Sequence, residues 1–148
     1  MYLMDIKLTI TKGEKKIVFA PASNDQSSYI KSVDVEIDTV SKGQEVRKKS
    51  RDVHAVIHVY GAIDAAINEQ LQALSEWALD FNSETTYRDV DIEVDDGGKK
   101  TSYSLPDMFV MNFDYRNHAD KDETEPYFEL KLMQKENMLG KILVESKK

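Results

Sequence analysis

The sequence contains no cysteine, and only three prolines and six glycines among its 148 residues. Without cysteine the chain can form no disulfide, thiol nucleophile, iron–sulfur cluster or cysteine zinc site. The scarcity of proline and glycine excludes collagen, proline-rich linkers and low-complexity disorder. No apolar run approaches the roughly 20 residues that cross a bilayer, so we expect no membrane insertion. The sequence therefore predicts one globular domain over residues 1–148, cytoplasmic before any assembly.

Charge is distributed unevenly along the chain. The formal net charge of −7 disfavours nucleic acid as a partner, because phosphates would repel most of the surface. Residues 1–52 carry a net charge of +2 and residues 53–148 a net charge of −9. The basic excess is concentrated in Lys42, Arg47, Lys48, Lys49 and Arg51. We expect such oppositely charged regions to be candidates for pairing.

Most of the chain alternates between apolar and polar residues, the pattern of half-buried strands. Gly13 and the Gly97-Gly98 pair each mark a hairpin turn. Pro106 is expected to end one strand before the next begins at Met108. The predicted strands cover residues 5–10, 17–19, 32–38, 53–60, 89–95, 100–105, 108–115, 127–133 and 142–144.

One segment has helical periodicity instead, which predicts an α-helix over about residues 67–80. Asp64 or Asn68 is the expected N-cap, and Asn82-Ser83 is expected to follow the helix end. Its predicted apolar stripe comprises Ile67, Leu71, Leu74, Trp77, Ala78 and Leu79.

These elements predict a mainly β fold with one α-helix. We expect a small antiparallel β-barrel or sandwich of eight or nine strands, with the helix packed on it after the fourth strand. A long polar arm, residues 40–52, separates the third and fourth strands. Ordering such an arm is costly unless it docks, so it is either a solvated loop or a contact to another chain.

Metal sites have weak support in the sequence. His54 and His58 have the spacing of a helical zinc motif, but on a strand their side chains would be about 13 Å apart. The acids Asp89, Asp91, Glu93 and Asp95 resemble the start of a calcium loop, although Val94 stands where that loop needs glycine. We expect a solvated or partner-facing row of carboxylates there, with weak cation binding as the alternative. The acidic segment from His118 to Glu125 has the same two interpretations.

The sequence contains no local motif for catalysis. It has no Gly-x-Ser-x-Gly segment, no cysteine and no glycine-rich phosphate loop. We therefore expect no enzymatic activity and no cofactor, with a hydrolase built from distant residues as a remote alternative.

The order of elements resembles the tail-tube fold. The similarity lies in the early strands, the polar arm, the single helix over 68–80, the acidic hairpin around Gly97 and the late strands 108–115 and 127–133. That fold is shared by tube proteins of contractile phage tails, phage-tail-like particles and the haemolysin-coregulated protein of type VI secretion. The resemblance implies a structural subunit that forms a ring of six around a lumen. It implies stacking of rings, and other tail or secretion proteins as further partners.

The resulting hypothesis is a non-enzymatic subunit that assembles with itself. The candidate contact joins the basic arm of one copy to acids of its neighbour, namely Asp89, Asp91, Glu93 and Asp95. The alternative is a monomeric binding module that presents an acidic face with aromatic side chains to a cationic or carbohydrate ligand. Its aromatic residues would be Tyr87, Tyr103, Tyr115 and Tyr127.

Overall fold

The computed structural model describes residues 4–20, 29–38, 54–117, 126–135 and 143–147. These residues form eight strands and one α-helix, α1 (Asn68–Ala78), which follows a 3₁₀ turn (Ala65–Ile67). The strands are β1 (Met4–Lys12), β2 (Lys15–Phe19), β3 (Ile30–Asp38), β4 (His54–Ala62), β5 (Arg88–Asp96), β6 (Lys99–Arg116), β7 (Tyr127–Gln134) and β8 (Leu143–Lys147). The predicted mainly β fold, with its helix after the fourth strand, is confirmed.

All eight strands belong to one antiparallel sheet with the order β2-β1-β5-β6-β7-β4-β3. The 18-residue strand β6 connects its two halves. Residues 99–108 of β6 pair with β5, and residues 108–116 pair with β7. The short strand β8 pairs with the first half of β6.

The predicted break at Pro106 is wrong, because β6 continues through this residue. The register of the β5–β6 pair shifts between Arg88 and Val90, as expected where a proline sits at a bulge. Asp107 takes a left-handed conformation with φ 57°. Its N–H donates to the Asp89 carboxylate (3.2 Å), and its carbonyl accepts from the N–H of Lys135 (2.7 Å). Partners from β5 and from Lys135, the residue after β7, therefore replace the ladder bonds that the bulge interrupts.

One face of the sheet and α1 enclose the core. β1 contributes Ile6, Leu8 and Ile10, and every second residue of β5 and β7 joins them. α1 covers this face with Leu71, Leu74 and Trp77, all at most 2% exposed. The opposite face is polar on β1, β3 and β5, whereas on β4 it carries the buried Val56. Among the described residues, no helix is long and apolar enough to cross a membrane.

The sheet is open, so the barrel form of the prediction is wrong. Within the described residues β2 and β3 are the ends of the strand order, and no ladder joins them. The Gln70 side chain of α1 donates to the carbonyl of Val18 on β2 (3.4 Å). The helix thus lies against β2, one end strand of the open sheet.

Candidate assembly surfaces

The four predicted acids form a row on the polar face of β5. Val90 and Ile92 point into the core, so the alternation of the strand turns Asp89, Asp91 and Glu93 to solvent. Asp95 is half-buried near the hairpin turn. We call Asp89, Asp91, Glu93 and Asp95 the acidic row.

Three of these carboxylates bond within their own chain. Asp89 accepts from the N–H of Asp107 as described above. Asp91 accepts from the Ser104 hydroxyl (2.5 Å), and Asp95 accepts from the N–H of Gly98 (3.2 Å). They stabilise the β6 bulge, the β5–β6 pair and its turn. The acidic row is therefore partly a structural feature of this sheet.

Glu93 is the exposed acid of the row that bonds to none of these groups. It lies across from Lys7 on β1 and from Ser102 on β6. The three residues line an open cleft of about 280 Å³ together with Asp5 and Lys100. Charges of both signs therefore surround Glu93.

The predicted partners of the acidic row lie outside the described residues. These are Lys42, Arg47, Lys48, Lys49 and Arg51 of the arm 40–52. The acidic segment from His118 to Glu125 lies outside them as well. The arm-to-row contact therefore stays a prediction.

The alternative metal interpretations gain no support from the part of the chain that the structure describes. In that part no group of three or more His, Asp or Glu side chains is arranged to hold a metal ion. His54 and His58 lie on strand β4, as the alternation predicts. Their spacing is therefore that of a strand and not that of a zinc-binding helix.

A cleft on the other half of the polar face brings a serine, a histidine and an aspartate together. Ser32, Asp34 and His58 line about 390 Å³ of open space, with Asp34 directly across from His58. No hydrogen bond joins these three described side chains to one another. The hydrogen-bonded chain of nucleophile, base and orienting carboxylate that defines a catalytic triad is therefore not formed by these three side chains in this structure.

The four tyrosines of the binding-module alternative do not share one surface. Tyr103 packs against the core, and Tyr87 meets the ring of Phe109 edge-on. Tyr127 contacts Tyr60, with ring centroids 4.8 Å apart. Tyr115 contacts Phe113, and burial raises the pKa of its phenol. An aromatic ligand face beside the acidic row is therefore absent among these residues.

A surface that the sequence did not predict lies at the end of α1. The helix stops at Ala78, so Leu79 falls outside the apolar stripe in which it was expected. Leu79 is 71% exposed and Phe81 is 89% exposed. We call residues 79–87 the helix-end loop and its Leu79 and Phe81 the apolar knob.

Hydrogen bonds hold the helix-end loop in one conformation. Asn82 N–H donates to the Asp80 carboxylate and Glu84 N–H to the Asn82 side chain, both at 2.9 Å. The Asn82 carbonyl accepts from the N–H of Thr86 (2.8 Å). The Trp77 indole N–H donates to the Thr86 carbonyl (2.6 Å). The exposure of Phe81 is thus a property of a well-bonded loop.

Charged side chains lie close to Trp77, beside the helix-end loop. The Arg88 guanidinium lies 5.2 Å from the centroid of the Trp77 ring. Burial lowers the pKa of Arg88, while the nearby acids Asp80 and Glu76 raise it. The pKa of Asp80 is lowered, first by the hydrogen bond from Asn82 and then by the Thr85 hydroxyl. Asp80 therefore stays ionised beside the apolar knob.

Comparison with known proteins identifies the fold. No family model matches the chain, and no curated protein matches its sequence. Among solved structures, it is similar to a chain in the cryo-EM structure of the PVC sheath–tube complex, an extracellular contractile injection system in the extended state. That match has a TM-score of 0.53 and 12% identity, and it covers 95% of this chain and 89% of the other. The chain has a tail-tube-like fold.

Two further structures give the same result. A chain in the anti-feeding prophage baseplate structure, which is symmetrised six-fold, has a TM-score of 0.51 at 12% identity and covers 97% of this chain and 93% of the other. A chain in the PVC sheath/tube terminator has a TM-score of 0.50 at 14% identity, covering 94% and 93%. At such identities the similarity concerns the tail-tube-like fold. These neighbours are components of multi-subunit assemblies.

Proposed function

We propose that this protein is a structural subunit that assembles with copies of itself into rings or tubes. The observation that carries the proposal is the tail-tube-like fold, which extends over 95% of the chain in the match to the sheath–tube complex. The sequence resembles tail-tube proteins, and the observed fold agrees with that resemblance. The resemblance implies rings of six subunits. In this role the protein needs no catalytic group, and its partners are itself and other tail proteins.

The proposed lateral contact joins the basic arm, residues 40–52, to the acidic row of a neighbour. Arg47, Lys48 and Lys49 supply three adjacent cations. Glu93 is the preferred target, because the other three acids already bond within the chain. A head-to-tail contact of this kind uses two different surfaces of one chain and can close a ring.

Light scattering during size-exclusion chromatography tests the proposal. We expect the wild-type protein to form assemblies whose mass rises with concentration and falls with salt, because exposed ion pairs are screened over roughly 8–10 Å. Six copies of the 16.9 kDa chain come to about 101 kDa. A monomer at every concentration would contradict self-assembly and favour the binding module.

A charge-reversal pair tests the arm contact. The variant Arg47→Glu/Lys48→Glu/Lys49→Glu is expected to assemble at least about tenfold more weakly, a change of about 1.4 kcal/mol. The matched control Lys31→Glu/Lys99→Glu/Arg116→Glu also exchanges three cations for three anions, at exposed positions elsewhere. Equal losses in the two variants would mean that net charge, and not the arm, controls assembly.

A further inference from the structure

The end of the molecule that carries the apolar knob also carries a group of lysines. The turn between β1 and β2 contributes Lys12, Lys15 and Lys16, which we call the basic hairpin. Thr11 of β1 pairs with Asp89 of β5, and Lys12 and Gly13 line a small depression together with Tyr87. Gln70 joins α1 to β2. The hairpin and the helix-end loop are therefore neighbours.

The two surfaces carry opposite charges. Glu76 and Glu84 are exposed on either side of the apolar knob, and Asp80 lies between its two residues. Lys15 and Lys16 are exposed on the hairpin. Among the described residues none of these side chains forms an ion pair within 4 Å, although the charge of Lys15 contributes to lowering the pKa of Asp80 in the same chain. Glu76, Glu84 and Lys16 are exposed, so their charges face solvent, where another molecule can meet them.

The apolar knob has the properties of an interface anchor. An exposed side chain the size of Phe81 gives up the free energy that its burial would supply. The hydrogen bonds of the helix-end loop fix its position in advance, which lowers the entropic cost of binding. Aromatic side chains are enriched at the centre of interfaces, and polar residues form the rim around them. Phenyl rings also pack on the stems of lysines and attract their ammonium groups.

We propose that the apolar knob of one copy docks on the basic hairpin of a second copy. The inference rests on the proposed function, to which it adds a specific contact. The second copy is the favoured occupant because the chain itself carries the complementary charge, next to the knob. This contact is separate from the one between arm and acidic row. Because the knob and the hairpin lie at the same end of the chain, each copy can offer both surfaces to its partner in a two-fold contact.

A charge-swap experiment tests the contact. The acid variant Glu76→Lys/Glu84→Lys and the hairpin variant Lys15→Glu/Lys16→Glu should each assemble at least about tenfold more weakly than wild type at low salt. An equal mixture of the two should recover assembly, because each variant presents the charge that the other now needs. Light scattering of both variants, their mixture and the wild type measures this, and thermal melting checks their folding.

The anchor is tested separately by Phe81→Ser, with Val144→Ser as the control. Val144 is 51% exposed on β8, so the control removes an exposed apolar side chain elsewhere. We expect Phe81→Ser to weaken assembly at least about tenfold and Val144→Ser to leave it unchanged.

The outcomes separate the two proposals. Wild-type assembly together with charge variants that assemble equally well overturns the knob-to-hairpin contact and leaves the proposed function standing. Weak assembly of both charge variants without recovery in the mixture also overturns this contact. A wild-type protein that stays monomeric overturns both proposals.

Discussion

The acidic row on β5 and the helix-end loop are both exposed, but the molecule uses their side chains differently. In the row, Asp89, Asp91 and Asp95 bond to groups of their own sheet. In the loop, backbone and polar groups bond to one another while Phe81 is left in solvent. The acidic row is easily recognised in the sequence, yet most of its carboxylates stabilise the sheet. The helix-end loop has no such sequence pattern, yet it exposes Phe81. A charge pattern in the sequence is therefore a weaker guide to an interface than the hydrogen-bond partners and the exposure of each side chain.

The largest expected loss of stability follows from replacing Trp77, whose side chain supports the helix-end loop. Trp77 is fully buried and donates to Thr86, so we expect Trp77→Ala to destabilise the protein by about 3–5 kcal/mol. Trp77→Phe keeps an aromatic ring and loses the indole N–H, so its cost should be smaller. Urea denaturation measures both. A Trp77→Ala variant as stable as wild type would show that the loop does not depend on this side chain.

The second prediction distinguishes the acids of the row that stabilise the sheet from the one that does not. Asp89→Ala should cost about 1–2 kcal/mol of stability, because the N–H of Asp107 in the bulge loses its partner. Glu93→Ala should change stability by less than about 0.5 kcal/mol, as is usual for an exposed side chain. Asp89→Asn, which keeps an acceptor oxygen, is the matched control. Equal effects at the two positions would contradict the distinction between structural and available acids.

The smallest expected effect is the pH dependence of the loop. The pKa of Asp80 is lowered in the folded state by the hydrogen bonds from Asn82 and Thr85. Protonation therefore favours unfolding. This stabilisation is complete above the ordinary aspartate pKa of about 4 and is lost as pH falls through the lowered value. Thermal melts between pH 5 and 2 should show a steeper loss for wild type than for Asp80→Asn, and parallel curves would contradict the assignment.

The strands could be predicted because burial of one sheet face imposes alternation on residues such as Val90 and Ile92. The prediction that a strand ends at Pro106 is wrong because Asp89 and Gln134 form hydrogen bonds to the backbone of the bulge. Only the register of the strands brings these two residues close to Pro106. Whether such a sheet closes depends on whether its end strands, β2 and β3, pair with each other, and local pattern does not encode that contact.

The exposed carboxylates of the candidate site were predictable from alternation, but their bonds to Ser104 and Asp107 depend on strand register. Leu79 was assigned to the helix stripe because the periodicity continues to it. The turn-forming residues Asp80 and Asn82 gave the one signal that the helix ends earlier. An apolar Phe81 between them was the sequence feature that could have indicated the apolar knob.

Electron microscopy of the purified protein at increasing concentration, after negative staining, tests whether copies of this chain assemble with one another. We expect rings or stacked tubes of a single repeating subunit. Only isolated particles of the 16.9 kDa monomer at every concentration would contradict this expectation.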